Sequence, residues 1–159
     1  DKVKVFDVKG KSETEFYKVS CSYSDGYSAS GSLTYSWPQA LAKAKAVDKI
    51  LRKRLENLGL RFEEVRTEFL GYNATHETLA PELDEDKINE IVFRFSVRSK
   101  DWKSVNRFGL EVAPLILTGP PSVTGFAGGR PKPKDVVAYW PALIPKKLVE
   151  PKVQILELA

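Results

Sequence analysis

Residues 119–131 hold the densest group of residues that could bind a ligand. The glycines Gly125, Gly128 and Gly129 would let the backbone approach a ligand closely, because they carry no side chain. Arg130 follows them directly, and a guanidinium can make a planar bidentate contact to a carboxylate or a phosphate. The segment matches neither the Walker loop nor a dinucleotide fingerprint placed between a strand and a helix. One interpretation of the segment is therefore a simple anion-binding pocket.

The same segment has a second interpretation, as an arm stiffened by proline that packs on a neighbouring subunit. Phe126 and Trp140 would then be its apolar anchors, since buried aromatic side chains supply much of the binding energy of interfaces. Proline removes ladder donors and glycine weakens regular elements, so we expect residues 119–131 to lie outside the core. Subunit packing is the interpretation we favour over direct ligand binding.

The single histidine and the single cysteine limit the catalytic chemistry of the chain. A Cys-His pair would require Cys21 to meet His76, but Cys21 lies in an apolar row of a predicted strand and is expected in the core. His76 could act alone as a general base or bind a substrate oxygen from a loop. An ordinary polar turn histidine is the interpretation we favour for it.

Metal and cofactor sites are not expected from this sequence. Structural zinc needs several Cys or His ligands, which the chain cannot supply. The acidic residues 81–86 lack the glycine and the terminal glutamate of a calcium loop. No other cofactor motif is present.

Composition indicates one folded domain. The chain has 159 residues, of which 42% are hydrophobic and 29% charged, with a net charge of +4. These values exclude a disordered chain. The lone cysteine favours a cytoplasmic location, and no apolar stretch approaches the ~20 residues that span a bilayer. Since the first residue is Asp1 and methionine is absent, we expect a piece of a longer polypeptide.

Specific nucleic-acid binding is not expected. The predicted helix 38–58 has a basic outer face, but this face lacks the aromatic side chains on which bases stack. The acidic residues in 82–90 interrupt any continuous positive surface. The basic face is interpreted as a solvated helix surface.

Periodicity predicts the secondary structure. Alternation of apolar and polar residues indicates strands, and apolar spacings of three and four indicate helices. Residues 17–35 are predicted to form a hairpin around a three-residue loop, 24–26, with its odd-numbered residues on one apolar face. The other predicted elements are strands at 3–8, 65–69, 91–97, 136–140 and 153–158 and helices at 38–58 and 102–112, the second capped by Ser99 or Asp101.

This order predicts an α+β fold, a two-layer sandwich in which two helices cover one face of a mainly antiparallel sheet. Residues 1–118 would form the two-layer core. Residues 119–159 would add the Gly/Pro-rich arm and the C-terminal strands to the same domain.

Several stretches resemble a known protein family. They are 112–121, 123–125, 128–131 and 137–141, together with the Tyr-Ser-Asp-Gly-Tyr sequence at 23–27. They are similar to the C-terminal part of the acyclic terpene utilisation protein A family, formerly a domain of unknown function. The resemblance implies a role in bacterial breakdown of acyclic terpenes through acyl-CoA thioesters, and it carries over no catalytic residue.

The sequence therefore predicts the C-terminal domain of a cytosolic catabolic protein that acts on or near carboxylic acids or acyl-CoA thioesters, with its reaction unassigned. A small carboxylate or acyl-CoA is the expected ligand, and a homo-oligomer or the remainder of a longer chain is the expected partner. The alternative is a noncatalytic assembly or interaction module that docks a partner subunit.

Overall fold

A computed structural model describes residues 2–125 and 128–157. The chain divides into two compact units. The first comprises the residues up to Tyr23 together with those from Ala138 onward, and the second comprises Ser24–Val137.

The described residues form five strands and three α-helices. In chain order the elements are β1 Phe16–Ser36, α1 Ala40–Asn57, β2 Glu64–Leu70, β3 Glu90–Ser99, α2 Trp102–Val112, α3 Leu115–Thr118, β4 Val123–Thr124 and β5 Lys134–Pro145. Short 3-10 helices lie at Glu77–Leu79, Glu85–Lys87 and Lys146–Leu148. The predicted α+β class with an antiparallel sheet is confirmed.

The sheet has the strand order β2-β3-β1-β4, and β5 also pairs with β1. The pairs β1–β3, β1–β4 and β2–β3 are antiparallel. Strands β1 to β4 and the helices α1 and α2 thus follow the split β-α-β arrangement of ferredoxin-like folds.

One face of β3 and of the second half of β1 forms the core. Alternate residues are buried because successive side chains of a strand point to opposite faces. The buried strand residues are Ala29, Leu33, Tyr35, Ile91, Phe93, Phe95 and Val97. Helices α1 and α2 both pack against β3. Burying one Phe or Leu side chain contributes about 1.5–3 kcal/mol, so this face holds the two layers together.

The helices follow their apolar stripes. Helix α1 buries Ala44, Val47, Leu51 and Leu55 at the predicted spacing, whereas Leu58 is 44% exposed because it caps the helix end. The three-and-four spacing of apolar residues therefore identifies the buried stripe of α1 as far as Leu55.

Asp101 caps α2. Its carboxylate accepts the backbone N–H groups of Lys103 and Ser104, both at 3.1 Å, which satisfies two donors of the first turn. Of the two residues predicted to cap this helix, Asp101 is the one that does so. Trp102, the first residue of this helix, is 48% exposed.

The predicted hairpin at 17–35 is wrong, because one continuous strand, β1, runs through both halves. Gly26 does have a positive φ, of 89°, and a Cβ added there would lie 2.7 Å from the Ser99 carbonyl oxygen. Asp25-Gly26 is a local turn signal, but strand pairing with β3 begins directly after it, at Tyr27. Long-range pairing therefore overrides the local signal.

The core position predicted for the first half of β1 is also wrong. Tyr17, Val19 and Tyr23 are 39%, 37% and 46% exposed, and Cys21 is exposed. An apolar row is buried only where a second layer covers it. Within the described part of the first unit, the only helix is the short 3-10 turn Lys146–Leu148.

Two predicted terminal strands are wrong as well. Residues 2–14 form no strand, and neither do residues 151–157, while Leu158 lies outside the described residues. Apolar alternation alone does not make a strand when no neighbouring strand supplies hydrogen bonds. Within 2–125 and 128–157, no helix has the length and apolar character that a membrane crossing requires.

Candidate functional site

A groove of about 570 Å³ lies beside β1 in the second unit. Strand residues line one side, and the segment that leads into β5 lines the other. The lining residues are Ser28, Ala29, Ser30, Ser96, Gly128, Gly129, Arg130, Pro131, Lys132 and Lys134. The structure therefore brings three of the four predicted anion-binding residues into one cavity, which we call the basic groove.

The two glycines of the basic groove have a conformation that suits glycine. Gly128 and Gly129 have φ values of 85° and 78°, which side chains on L-residues disfavour. A Cβ at either position would meet nothing within 4 Å. Backbone conformation, and not crowding, is therefore the reason for glycine here.

Gly125 does not line the groove. A Cβ added there would lie 3.7 Å from the side chain of Ile116 in α3. Its predicted role beside Gly128 and Gly129 is thus not supported by its position.

Pro131 fixes the position of the groove's glycine-rich side. A Cβ on Gly31 would lie 2.9 Å from the Pro131 ring, and a Cβ on Gly109 of α2 would overlap the Pro131 carbonyl oxygen. These two glycines leave the space that Pro131 occupies between β1 and α2. Arg130 and Lys132, its sequence neighbours, are therefore held at the edge of the core.

The prediction that residues 119–131 lie outside the core is wrong at two places in the segment. In its middle, Val123 and Thr124 form β4 and pair with Tyr35 and Thr34 of β1. At its end, Pro131 packs on the buried glycines Gly31 and Gly109. Phe126, the predicted interface anchor, lies outside the described residues.

Three cations give the groove its charge. Arg130, Lys132 and Lys134 are all exposed, and none of them forms an ion pair with a carboxylate within 2–125 or 128–157. Cations without partners attract anions more strongly than cations held in ion pairs. The groove is thus a place where anionic groups can collect.

The arginines of β3 do not add to this free charge. Arg94 donates to Glu68 at 2.6 Å, and Arg98 donates to Glu64 at 2.5 Å and to Asp25. The hydrogen bond from Arg94 holds the pKa of Glu68 below its ordinary value. These pairs cross the sheet from β1 to β2 on the face opposite the helices, which we call the open face.

The serines of the groove were not singled out by sequence reasoning. Ser30 and Ser96 are register partners on β1 and β3, and their hydroxyls share a 2.8 Å hydrogen bond. The alternating serines of β1 were visible as a polar face, but only the register places Ser96 beside them. Lys132 and Lys134 were not predicted, because they are far from β1 in sequence and only the fold places them beside it.

His76 lies in another cavity of the second unit, about 480 Å³ in volume. It is exposed and precedes the 3-10 helix Glu77–Leu79, where its carbonyl accepts the N–H of Leu79 at 2.9 Å. This is the position of a turn residue. Trp140, the second predicted interface anchor, is 64% exposed on β5 in the first unit.

Together the fold and the groove define an α+β domain with ferredoxin-like strand order and a basic groove. The chain belongs to the acyclic terpene utilisation family, since the family model described as acyclic terpene utilisation family protein AtuA matches residues 1–155. This confirms the family resemblance. No curated protein matches the sequence. Among solved structures, the chain is similar to the de novo designed protein Ferredog-Diesel, with 16% identity, a TM-score of 0.35, and coverage of 75% of this chain and 96% of that chain.

Proposed function

We propose that this chain takes part in the cytosolic breakdown of carboxylic acids or their CoA thioesters, and that the basic groove holds the anionic part of such a compound. The observation that carries the proposal is that Arg130, Lys132 and Lys134 line one cavity and form no ion pair within the part of the chain that the structure describes. Family membership supports a role related to terpene utilisation.

The chemistry of the groove suits carboxylate and phosphate oxygens. Arg130 can offer two parallel N–H donors, and the lysines add point charges. Serine hydroxyls can donate as well, and Ser28 and Ser30 line the same cavity. The attraction of each group for an anion is weak in water, but the attractions of several groups around one anion add up.

The size of the groove limits what it can hold. Its volume, about 570 Å³, lies within the ~300–1,000 Å³ typical of small-molecule sites. A carboxylate or a phosphate group with its neighbouring atoms is a suitable occupant. We infer that the groove takes the charged end of the ligand.

The test is calorimetric titration of the protein with CoA, acetyl-CoA and succinate at low and at physiological salt. We expect Arg130→Gln to weaken binding of at least one of these ligands by fivefold or more, because the bidentate donor is lost. The affinity of the unmodified protein should fall as salt rises, since exposed charges are screened.

The matched control is Arg107→Gln. Arg107 lies on α2, is paired with Glu111 at 2.7 Å, and does not line the groove. Arg107→Gln removes the same charge as Arg130→Gln and should leave the affinity within twofold of that of the unmodified protein. Equal weakening by both substitutions, or binding of none of the three ligands, would contradict the proposed function.

A second function is favoured by the apolar side chains that the first unit exposes. Tyr139, Trp140 and Leu143 of β5 are 55%, 64% and 68% exposed, and the exposed residues of β1 described above belong to the same unit. Clustered exposed apolar residues mark interaction surfaces. We propose as the alternative that the chain is a noncatalytic assembly module that docks a second copy of itself.

Sedimentation velocity tests the assembly function. Trp140→Ser should reduce the fraction of dimer, whereas Trp102→Ser, which removes a Trp 48% exposed on α2, should leave it unchanged. A protein that sediments as a monomer at all concentrations up to about 100 μM, a range in which even a weak dimer would form, would reject this function.

A further inference from the structure

A second cavity of the second unit, about 650 Å³ in volume, lies between the end of α1 and β2. It shares no residue with the basic groove. Its floor and walls are apolar, and its rim is basic. From this combination we propose that the cavity, which we call the α1–β2 pocket, binds a single aliphatic chain that carries a carboxylate.

The apolar wall is built by the end of α1. The N–H of Leu60 donates to the Leu55 carbonyl at 3.0 Å, and the N–H of Gly59 donates to the Glu56 carbonyl at 2.9 Å. With Gly59 at a φ of 68°, this is a Schellman motif, which folds the residue after the glycine back onto the helix. Leu60 is thereby placed beside Leu55, and both line the pocket.

The opposite wall is an uncovered piece of the sheet. Val65 pairs in register with Val97, so it lies on the helix-facing side, but it is 39% exposed while Val97 is 2% exposed. Strand β2 is at the edge of the sheet, and α1 packs mainly on β3. Phe62 and Phe95 complete the apolar lining. Binding of a hydrocarbon chain over this surface would be favourable, because it removes apolar area from water.

Arg52 limits one side of the pocket and is already engaged. Its guanidinium lies 5.1 Å from the centre of the Phe95 ring and donates to Asp48 and to Thr67, at 3.1 Å and 2.7 Å. Arg52 thus forms a fixed part of the basic rim. Its charge is largely balanced by Asp48.

Two other cations of the rim have no balancing carboxylate among the residues that the structure describes. Lys53 pairs with Glu56 at 2.7 Å, whereas Lys49 and Arg61 form no ion pair with any carboxylate in the described ranges. Two full charges outweigh the partial negative charge, about half an elementary charge, at the end of a helix. A cation rim above an apolar floor complements a carboxylate on a hydrocarbon chain.

The probes are hexanoate, octanoate and decanoate at submillimolar concentration, measured by calorimetry with the full chain. We expect affinity to rise by roughly threefold for each added methylene, somewhat below the value for complete burial of a CH₂ group. Decyltrimethylammonium, with the same chain and the opposite charge, should bind at least tenfold more weakly than decanoate. Equal affinity for these two, or no dependence on chain length, would overturn the proposal.

Two variants locate the ligand. Val65→Glu places a carboxylate at a partly exposed wall position and should weaken decanoate binding at least tenfold, while Val137→Glu, at a residue 68% exposed on β5, is its matched control. Lys49→Gln with Arg61→Gln removes the unpaired rim charges from two surface positions and should weaken it at least fivefold. Unchanged binding by the charge variant would overturn the proposal even if Val65→Glu failed to fold.

The outcome is separable from that of the basic groove. Arg130→Gln should leave decanoate affinity within twofold, because Arg130 does not line the α1–β2 pocket. Loss of decanoate binding in Arg130→Gln, with retention in the Lys49→Gln and Arg61→Gln variant, would assign the ligand to the groove and reject this pocket.

Discussion

The carbonyl oxygen of Pro131 occupies the place where a side chain on Gly109 would begin. Gly109 is buried in the middle of α2, and the segment that carries Arg130 lies directly on it. Because Gly109 has no side chain, the segment that forms one side of the basic groove can lie directly on α2.

Gly109→Ala should destabilise the protein, although alanine favours helices by up to about 1 kcal/mol over glycine. The added Cβ meets backbone, which cannot move aside as a flexible side chain can, and overpacking of this kind costs roughly 1–3 kcal/mol. Urea denaturation should show a net loss of stability. Gly10→Ala is the control, because a Cβ there meets nothing within 4 Å; a gain of stability in Gly109→Ala would show that Pro131 is not seated on the helix.

Tyr35→Phe should preserve or raise stability. The Tyr35 side chain is buried, and its hydroxyl finds no hydrogen-bond partner among the described residues. An unpaired buried hydroxyl costs about 1–3 kcal/mol, so its removal offsets any small packing loss. Tyr27→Phe, on the same strand but only partly buried, is the comparison in chemical denaturation. A clear loss of stability in Tyr35→Phe alone would reveal a partner for this hydroxyl.

Burial raises the pKa of Tyr35 to about 12, from an ordinary value of 10.0. Because the folded pKa is the higher one, folding stability should decline as pH rises from 10 toward 12. Spectrophotometric titration near 295 nm should show one tyrosine ionising late, and Tyr35→Phe should remove that late step. If Tyr27→Phe removed the late ionisation step and Tyr35→Phe did not, the assignment of that step to Tyr35 would be wrong.

Asp101→Asn should change how stability depends on acid. The hydrogen bonds from Ser104 and from the first-turn N–H groups lower the pKa of Asp101 below 3.8. Because the pKa is lower in the folded state, the ionised carboxylate stabilises the protein above pH 3.8. This contribution is lost as the pH falls through the folded pKa. Thermal melts from pH 7 to pH 2.5 should therefore converge for the two proteins at low pH. Parallel curves over the whole range would show that the charge of Asp101 does not contribute.

Cys21 should react with Ellman's reagent in the native protein without denaturant, since its side chain lies on an exposed part of β1. Disulfide exchange depends on access of the reagent to the thiolate. Stopped-flow absorbance should give one equivalent per chain, and Cys21→Ser should give none. Reaction only after addition of urea would restore the core position that the sequence suggested.

Local periodicity predicted those elements whose burial follows from their own spacing. The alternation of Ile91 to Val97 and the three-and-four spacing of α1 both identify a face that the core covers. The same alternation at Tyr17 to Tyr23 has no such cover, and nothing in those residues distinguishes the two cases. The turn signal at Asp25-Gly26 failed for a related reason, since β3 determines where pairing begins.

The candidate site was predictable only in part. Glycines beside an arginine identified residues 128–130 as a potential anion site from local chemistry alone. Ser96 and Ser30 meet through strand register, and Pro131 is seated by glycines on two other elements. Such meetings depend on long-range pairing, which single-sequence periodicity does not encode. The α1–β2 pocket likewise arises from how far α1 covers the sheet.

Because Arg98 holds Asp25 and Glu64 at once, the open face of the sheet resists stacking against a second sheet. Two sheets pack face to face, about 10 Å apart, when apolar side chains fill the gap between them. Stacking on this face would instead strip water from the Arg94–Glu68 and Arg98–Glu64 pairs, and the desolvation of buried charges can exceed their mutual attraction. The ion pairs thus protect the folded unit from layered aggregation in a crowded solution, where an apolar face in the same position would promote it.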